Sequence, residues 1–347
     1  MTDRSRNDEP EDNLDYLDAG LPPEEQVTSR IDPDGPAPVI EPRASTTPPL
    51  GPSPSTGTPE QAAARNDSLW TWPLTNLIGL IVVVAVNYAA NYFEFNGNST
   101  ADIVNRDPVP FQPAGWVFAI WGVIYLLLAV FVVYGLLPAG RHNQRLQRIS
   151  PLFLVTNIAN TVWIIFWHWE QIAAALGTMV VLLVALVGIY IGVRYQGSPF
   201  RRTAREAVDN PGWFERIALQ LPFSVYLGWI CVAALANVMV WLQDTGRDSG
   251  LFSLNWWAVI FMVVAILVAA VFMVTTHDGV IALVMAVAFA GIADHNWGSE
   301  TAVSVVAGIF AVLALVIAVV SMLLAYDETH NRPLPGSHLW RRTEPVA

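Results

Sequence analysis

The sequence predicts an all-α polytopic membrane protein. Three observations carry that prediction. Only 14% of the residues are charged and 54% are hydrophobic, against about 25% charged in an ordinary soluble domain. Eight apolar stretches follow one another, near 70–93, 114–137, 150–169, 171–193, 219–242, 255–275, 278–294 and 301–325. Most are near the roughly 20 residues that a helix needs to cross a bilayer. Finally, the arginines gather in every second loop, as loop charge does in proteins with a fixed membrane orientation. The chain divides into a tail at 1–68, a five-helix membrane region at 69–243, three additional C-terminal transmembrane helices at 255–326 and a second tail at 327–347.

The first tail holds 14 Asp and Glu against five Arg, so most of the chain's net charge of −11 lies there. It is rich in Pro, Ser, Thr and Gly, for example TTPPLGPSPSTGTPEQ at 46–61. Such a composition buries too little apolar surface to offset chain entropy, which predicts a disordered segment. The acidic balance argues against a nucleic-acid partner. The chain has no lysine, which excludes a Schiff-base cofactor and a P-loop. Cys231 is the single cysteine, so no intrachain disulfide forms.

Orientation follows from Arg141, Arg145 and Arg148 after the second span, Arg194, Arg201, Arg202, Arg205 and Arg216 after the fourth, and Arg332, Arg341 and Arg342 after the last. The alternate loops carry only Arg106 and Arg247. Both termini are therefore expected in the cytoplasm, and the expected location is a prokaryotic cell membrane. The first external loop, 94–112, mixes turn residues with aromatics and ends on Pro108, Pro110 and Pro113, the pattern of a lid over the bundle. The seventh span is short. Asp278 and Asp294 flank it, and no ionisable group sits at mid-span, which argues against ion-driven transport.

The fifth span is the most informative. Leu221 to Leu242 carries no charge, and Tyr226, Trp229, Ala233 and Asn237 recur at spacings of three, four and four, along one helical stripe. A polar stripe in lipid must face protein, water or a ligand. The chain has 14 tryptophans. Trp70, Trp72, Trp241, Trp256 and Trp257 stand where interface anchors stand. Trp116 and Trp121 open the second span, and Trp163, Trp167 and Trp169 close the third on the same outer side. Indole walls suit planar, mostly apolar ligands. Asn76, Asn87 and Asn91 share a face of the first span, and Asn157 and Asn160 lie in the third. Interhelical hydrogen bonding is the plain reading of such amides.

Catalytic chemistry has little support: HExxH, GxSxG, Walker A and GxGxxG are absent, and His168, His277 and His295 are scattered. No enzyme and no metal site are expected; only Asp294 and His295 could serve an intramembrane reaction.

Three blocks resemble the tryptophan-rich sensory protein family, also called the TspO/MBR or translocator protein family. In PAGWVFAIWGVIYLLLAVFVVY (113–134), Trp121 and Tyr125 match the family's Trp-Thr-x-x-Tyr, with Gly122 replacing Thr. In NTVWIIFWHW (160–169), Asn160 and Trp163 fit its Asn-x-x-Trp. In the fifth span, Tyr226, Leu227, Trp229, Ala233 and Asn237 match its Tyr-Leu-x-Trp-x-x-x-Ala-x-x-x-Asn, with Val225 in place of a proline. The likeness covers 70–242 and is similar to a longer, eight-span branch of the family. It implies a TspO-like five-helix bundle with its first loop over an aromatic pocket, and a homodimer. It also implies a tetrapyrrole- or sterol-like ligand; no cofactor is required. Trp121, Tyr125, Asn160, Trp163, Trp167, Tyr226, Trp229 and Asn237 are then the expected ligand-binding residues, with bilayer lipid and a small apolar ligand as partners. Because Tyr226 falls towards the cytoplasmic half, only the Trp229–Asn237 half of the stripe is expected to reach an outer pocket. A small-molecule permease using all eight spans is the alternative.

Overall fold

The computed structural model describes residues 59–194, 212–246 and 252–330. The acidic tail up to residue 58, much of the arginine-rich loop after residue 194, and the C-terminal tail after residue 330 lie outside the described residues, and so do the expectations placed on them. The described chain is helical: α1 (Pro59–Tyr92), α2 (Thr100–Arg106), α3 (Ile120–Leu136), α4 (Pro138–Arg141), α5 (Gln144–His168), α6 (Ile172–Arg194), α7 (Trp213–Glu215), α8 (Leu221–Asp244), α9 (Leu254–Thr276), α10 (Gly279–His295) and α11 (Thr301–His330). Seven segments are long and apolar enough to cross a membrane, so the protein is an integral, multi-pass membrane protein. The eighth apolar segment is α10, a helix of 17 residues.

Local chemistry explains where the helices begin and end. Helix α1 starts ten residues before the expected boundary at 69 because Pro59 opens a run of good helix formers, EQAAAR. Helix α5 starts six residues earlier than expected. There Asn143 caps it, its Oδ1 accepting from the backbone N–H groups of Arg145 and Leu146 at 2.9 and 3.2 Å. Pro222 lacks an N–H and disfavours an α-helical turn before it. Residues Arg216–Gln220 accordingly wind as a π turn, and the helix continues through α8.

Helix α8 is the centre of the bundle: every residue from Pro222 to Ile230 is buried. It packs on α6, α3, α9 and α10, while α5 packs on α1 and α6. Asparagines on α1 and α5 join those two helices: Asn76 Nδ2 donates to Ser150 Oγ, and Asn87 Nδ2 to Asn160 Oδ1, both at 2.9 Å. Such bonds contribute about 0.6 to 2 kcal/mol each in a bilayer.

The three C-terminal helices pack on one another and meet the rest chiefly along α8, with further contacts to the residues ahead of α3 and to the end of α6. Gly228 makes the α8–α10 contact close, since a Cβ there would lie 3.1 Å from Val284 Cβ and 3.2 Å from Ile281 O. The two ends of α10 reach opposite faces of the bundle. At its start Asp278 bonds Arg194 at the end of α6; at its end Asp294 Oδ2 accepts from Trp116 Nε1, ahead of α3, at 3.0 Å.

The sequence places Asp278 as a charge flanking a span, yet it is only 6% exposed. Its Oδ2 accepts from Arg194, from Ser224 Oγ at 2.7 Å and from Tyr190 OH at 3.0 Å. Its Oδ1 caps α10 through the Val280 N–H at 3.0 Å. Three helices thus meet on one carboxylate.

Candidate functional site

On the face opposite the Arg194–Asp278 pair, the loop after α1 turns back over the bundle. The reversal uses left-handed backbone at Glu94, Asn96 and Gly97, with φ of 48°, 56° and 76°. Helix α2 then forms on a capping box: Asp102 N–H donates to Ser99 Oγ at 3.2 Å, and Ser99 N–H to Asp102 Oδ2 at 2.8 Å. The Ser99 hydroxyl, with its backbone N–H second, holds the Asp102 carboxyl below the ordinary carboxylate range. The far rim is the turn between α5 and α6. There Arg106 donates to Glu170 Oε1 at 2.8 Å, and Asn96 Nδ2 to His168 O at 3.1 Å.

Beneath α2 lies a cavity of about 420 Å³, within the size of small-molecule sites. Its wall is built of indoles. Trp163 and Trp167 stack with centroids 5.8 Å apart, as neighbours one helical turn apart on α5. Trp121 and Phe118 meet Trp229 edge to face at 6.4 and 5.8 Å. Trp163 Nε1 donates to Asn237 Oδ1 at 3.1 Å, and Asn237 Nδ2 to Ala233 O at 2.8 Å, which fixes the amide and one indole. Trp167 and Trp229 are 3% and 2% exposed, and neither indole N–H has an acceptor. Gln243 lines the same cavity with its Oε1 also unpartnered. The cavity therefore offers flat apolar faces, with these three unpartnered polar atoms closed off within its wall.

A second cavity of about 640 Å³ lies on the other side of Trp121 and Trp163, between them and α1. Tyr125 lines this one, stacked on Trp121 at 5.6 Å. Trp121 and Trp163 belong to both linings, so the two cavities share a wall.

Of the eight expected ligand-binding residues, Trp121, Trp163, Trp167, Trp229 and Asn237 line the first cavity, and Tyr125 the second. Asn160 and Tyr226 line neither. Asn160 Nδ2 donates to Tyr226 OH at 3.0 Å while its Oδ1 accepts from Asn87, a chain of polar groups behind the wall. Sequence reasoning missed Phe118, Gln112 and Val104, which line both cavities, and the Arg106–Glu170 pair at the rim. The proline-rich end of the loop was the available signal for Gln112. Nothing in the sequence links Arg106 to Glu170, 64 residues away.

A family model described as TSPO-like protein matches residues 73–320. The match runs beyond the five-helix region into α11. No curated protein and no solved structure matches the chain.

Proposed function

This chain belongs to the TSPO-like protein family, and we propose that it binds a flat, largely apolar molecule of tetrapyrrole or sterol type in the cavity beneath α2, as a sensory or ligand-carrying membrane protein. One observation supports this above the others: four indoles, Trp121, Trp163, Trp167 and Trp229, wall a single cavity. Indole faces stack on a planar body and give it a large apolar contact area. In this reading Trp121, Trp163, Trp167 and Trp229 contact the ligand body, Asn237 holds Trp163 in place, and Asn160 and Tyr226 stiffen the wall from behind.

Both termini face the cytoplasm and α10 crosses the bilayer as an eighth span, in keeping with the arginines at 141, 145, 148 and 194 and with the opposed ends of α10. The cavity then opens on the external side. The test is quenching of tryptophan fluorescence by protoporphyrin on the purified protein. The variant Trp163→Phe, Trp229→Phe is expected to weaken binding about tenfold or more, the loss of roughly 1.4 kcal/mol. Unchanged quenching in that variant would remove the cavity from the proposal.

A permease is the second reading, supported by the cavity on the other side of Trp121 and Trp163, where Tyr88 and Tyr92 of α1 are each 66% exposed. It requires flux of a small solute through proteoliposomes. Absence of protoporphyrin, sterol and metabolite flux at full protein incorporation would leave binding alone.

A further inference from the structure

The loop over the cavity is held in two unequal ways. From Glu94 to Arg106 its hold is shallow: Phe95, Ile103 and Val104 pack only half-buried on the bundle, neither Phe95–Gly97 nor α2 has a buried residue, and most of the polar contacts are exposed. The Arg106 and Glu170 side chains are 46% and 42% exposed, and an ion pair of that kind holds weakly. The Thr100 N–H reaches Asn91 Oδ1 of α1 at 3.0 Å. From Val109 onwards the contacts are buried and reach into the C-terminal helices. Phe111 is fully buried, edge to face with Phe261 of α9 at 5.8 Å. Asn296, 2% exposed, follows α10 and donates from Nδ2 to Pro110 O at 2.9 Å. The Ala114 N–H donates to Gly291 O of α10 at 3.0 Å.

The seat for these contacts is itself braced. Asn296 Nδ2 also donates to Ile292 O at 2.8 Å, and Ser304 Oγ of α11 to Ala293 O at 2.7 Å. Between the two halves lies Asp107, with non-helical backbone (φ −128°, ψ 77°), followed by Pro108, which cannot extend α2.

We infer that the three C-terminal helices hold the fixed half of the roof, with Asn296 and Phe261 as positioning residues, and that α2 is a flap hinged at Asp107–Pro108 against that seat. The roof's placement over the indoles is thus set by α9 and α10, which contribute no side chain to the cavity lining given above. That the cavity takes a ligand is the reading proposed above; the division of the roof into a fixed and a swinging half stands apart from it.

The experiment is amide hydrogen exchange on the full chain in nanodiscs, alongside protoporphyrin quenching. In Asn296→Ala, and separately in Phe261→Leu, which keeps apolar volume, exchange at Ala114 and Val117 should rise about tenfold, with exchange in α5 and α8 unchanged. In Glu170→Gln the rise should be confined to Thr100–Arg106, leaving Ala114 protected. Protoporphyrin affinity should fall in Asn296→Ala and Phe261→Leu although neither residue lines the cavity. Exchange at Ala114 that is unchanged in both seat variants, or that rises equally in Glu170→Gln, overturns the inference. If the exchange pattern holds and protoporphyrin does not bind the parent protein, the ligand reading fails and the anchored roof stands.

Discussion

Replacing Asp278 by Asn keeps the shape of the side chain and an oxygen able to cap α10, but it removes the charge. Arg194, whose side chain is 17% exposed, then faces an amide rather than a carboxylate, and the donors from Ser224 and Tyr190 lose a charged acceptor. Removing one partner of a buried ion pair typically costs about 3–5 kcal/mol, because the other charge stays buried without compensation. With Arg194 slightly exposed, the lower end, about 3 kcal/mol, is expected. The measurement is reversible unfolding in mixed micelles with rising SDS, followed by circular dichroism. The double variant Asp278→Asn, Arg194→Met has no orphaned charge and should regain part of the loss, so the two changes should be clearly non-additive. A cost below about 1 kcal/mol for Asp278→Asn, or simple additivity with Arg194→Met, would refute the view that this pair joins the C-terminal helices to the rest.

Other outcomes follow from the same structure. In a Cys231→Ser background, a membrane-impermeant maleimide added to intact cells should label Trp297→Cys and not Thr275→Cys, since α10 crosses; labelling of both from outside would show that it does not. Gly279→Ala places a Cβ 2.4 Å from the Ala318 carbonyl oxygen, so α10 and α11 must part, at a cost of about 1–3 kcal/mol in the same micelle titration. The Asp102 carboxyl is held below its ordinary value by Ser99, so the α2 cap is intact above the ordinary carboxylate pKa of about 4 and is lost as pH falls through the lowered one. Exchange in α2, corrected for its intrinsic pH dependence, should therefore rise only below about pH 4 in the parent protein, and already at pH 7 in Asp102→Ala.

Much of the fold is legible because apolar runs and loop arginines are strong, local signals. The five cavity residues Trp121, Trp163, Trp167, Trp229 and Asn237 were legible for a related reason: indoles and amides stand out on otherwise apolar helices. Tyr226 and Asn160 show where pattern fails. Helical spacing reports which face a residue occupies and not its depth. Tyr226 lies three residues, roughly 4.5 Å along the axis, beyond Trp229, the first α8 residue in the cavity lining, and hydrogen-bonds Asn160 behind the wall. The long-range charges were not legible at all. Arg194 and Asp278 are 84 residues apart and Arg106 and Glu170 are 64 apart, and neither pair has a local motif. Each looks like an ordinary loop charge until the helices are set side by side.

The sequence distance between Arg194 and Asp278 also bears on how the protein is made. A ribosome delivers α6 to the membrane well before α10, so Arg194 reaches its final depth with the partner carboxylate still unsynthesised. Until α9 and α10 arrive as a hairpin, that guanidinium must stay in the lipid headgroups or be held by the insertion machinery. Fixing α6, α8 and α10 on one carboxylate therefore makes docking of the C-terminal hairpin a late step of biogenesis. Chains truncated after Gly246 should persist as loosely assembled, protease-sensitive intermediates. A truncated chain as protease-resistant as the full one would show that the first five helices mature without their counter-charge.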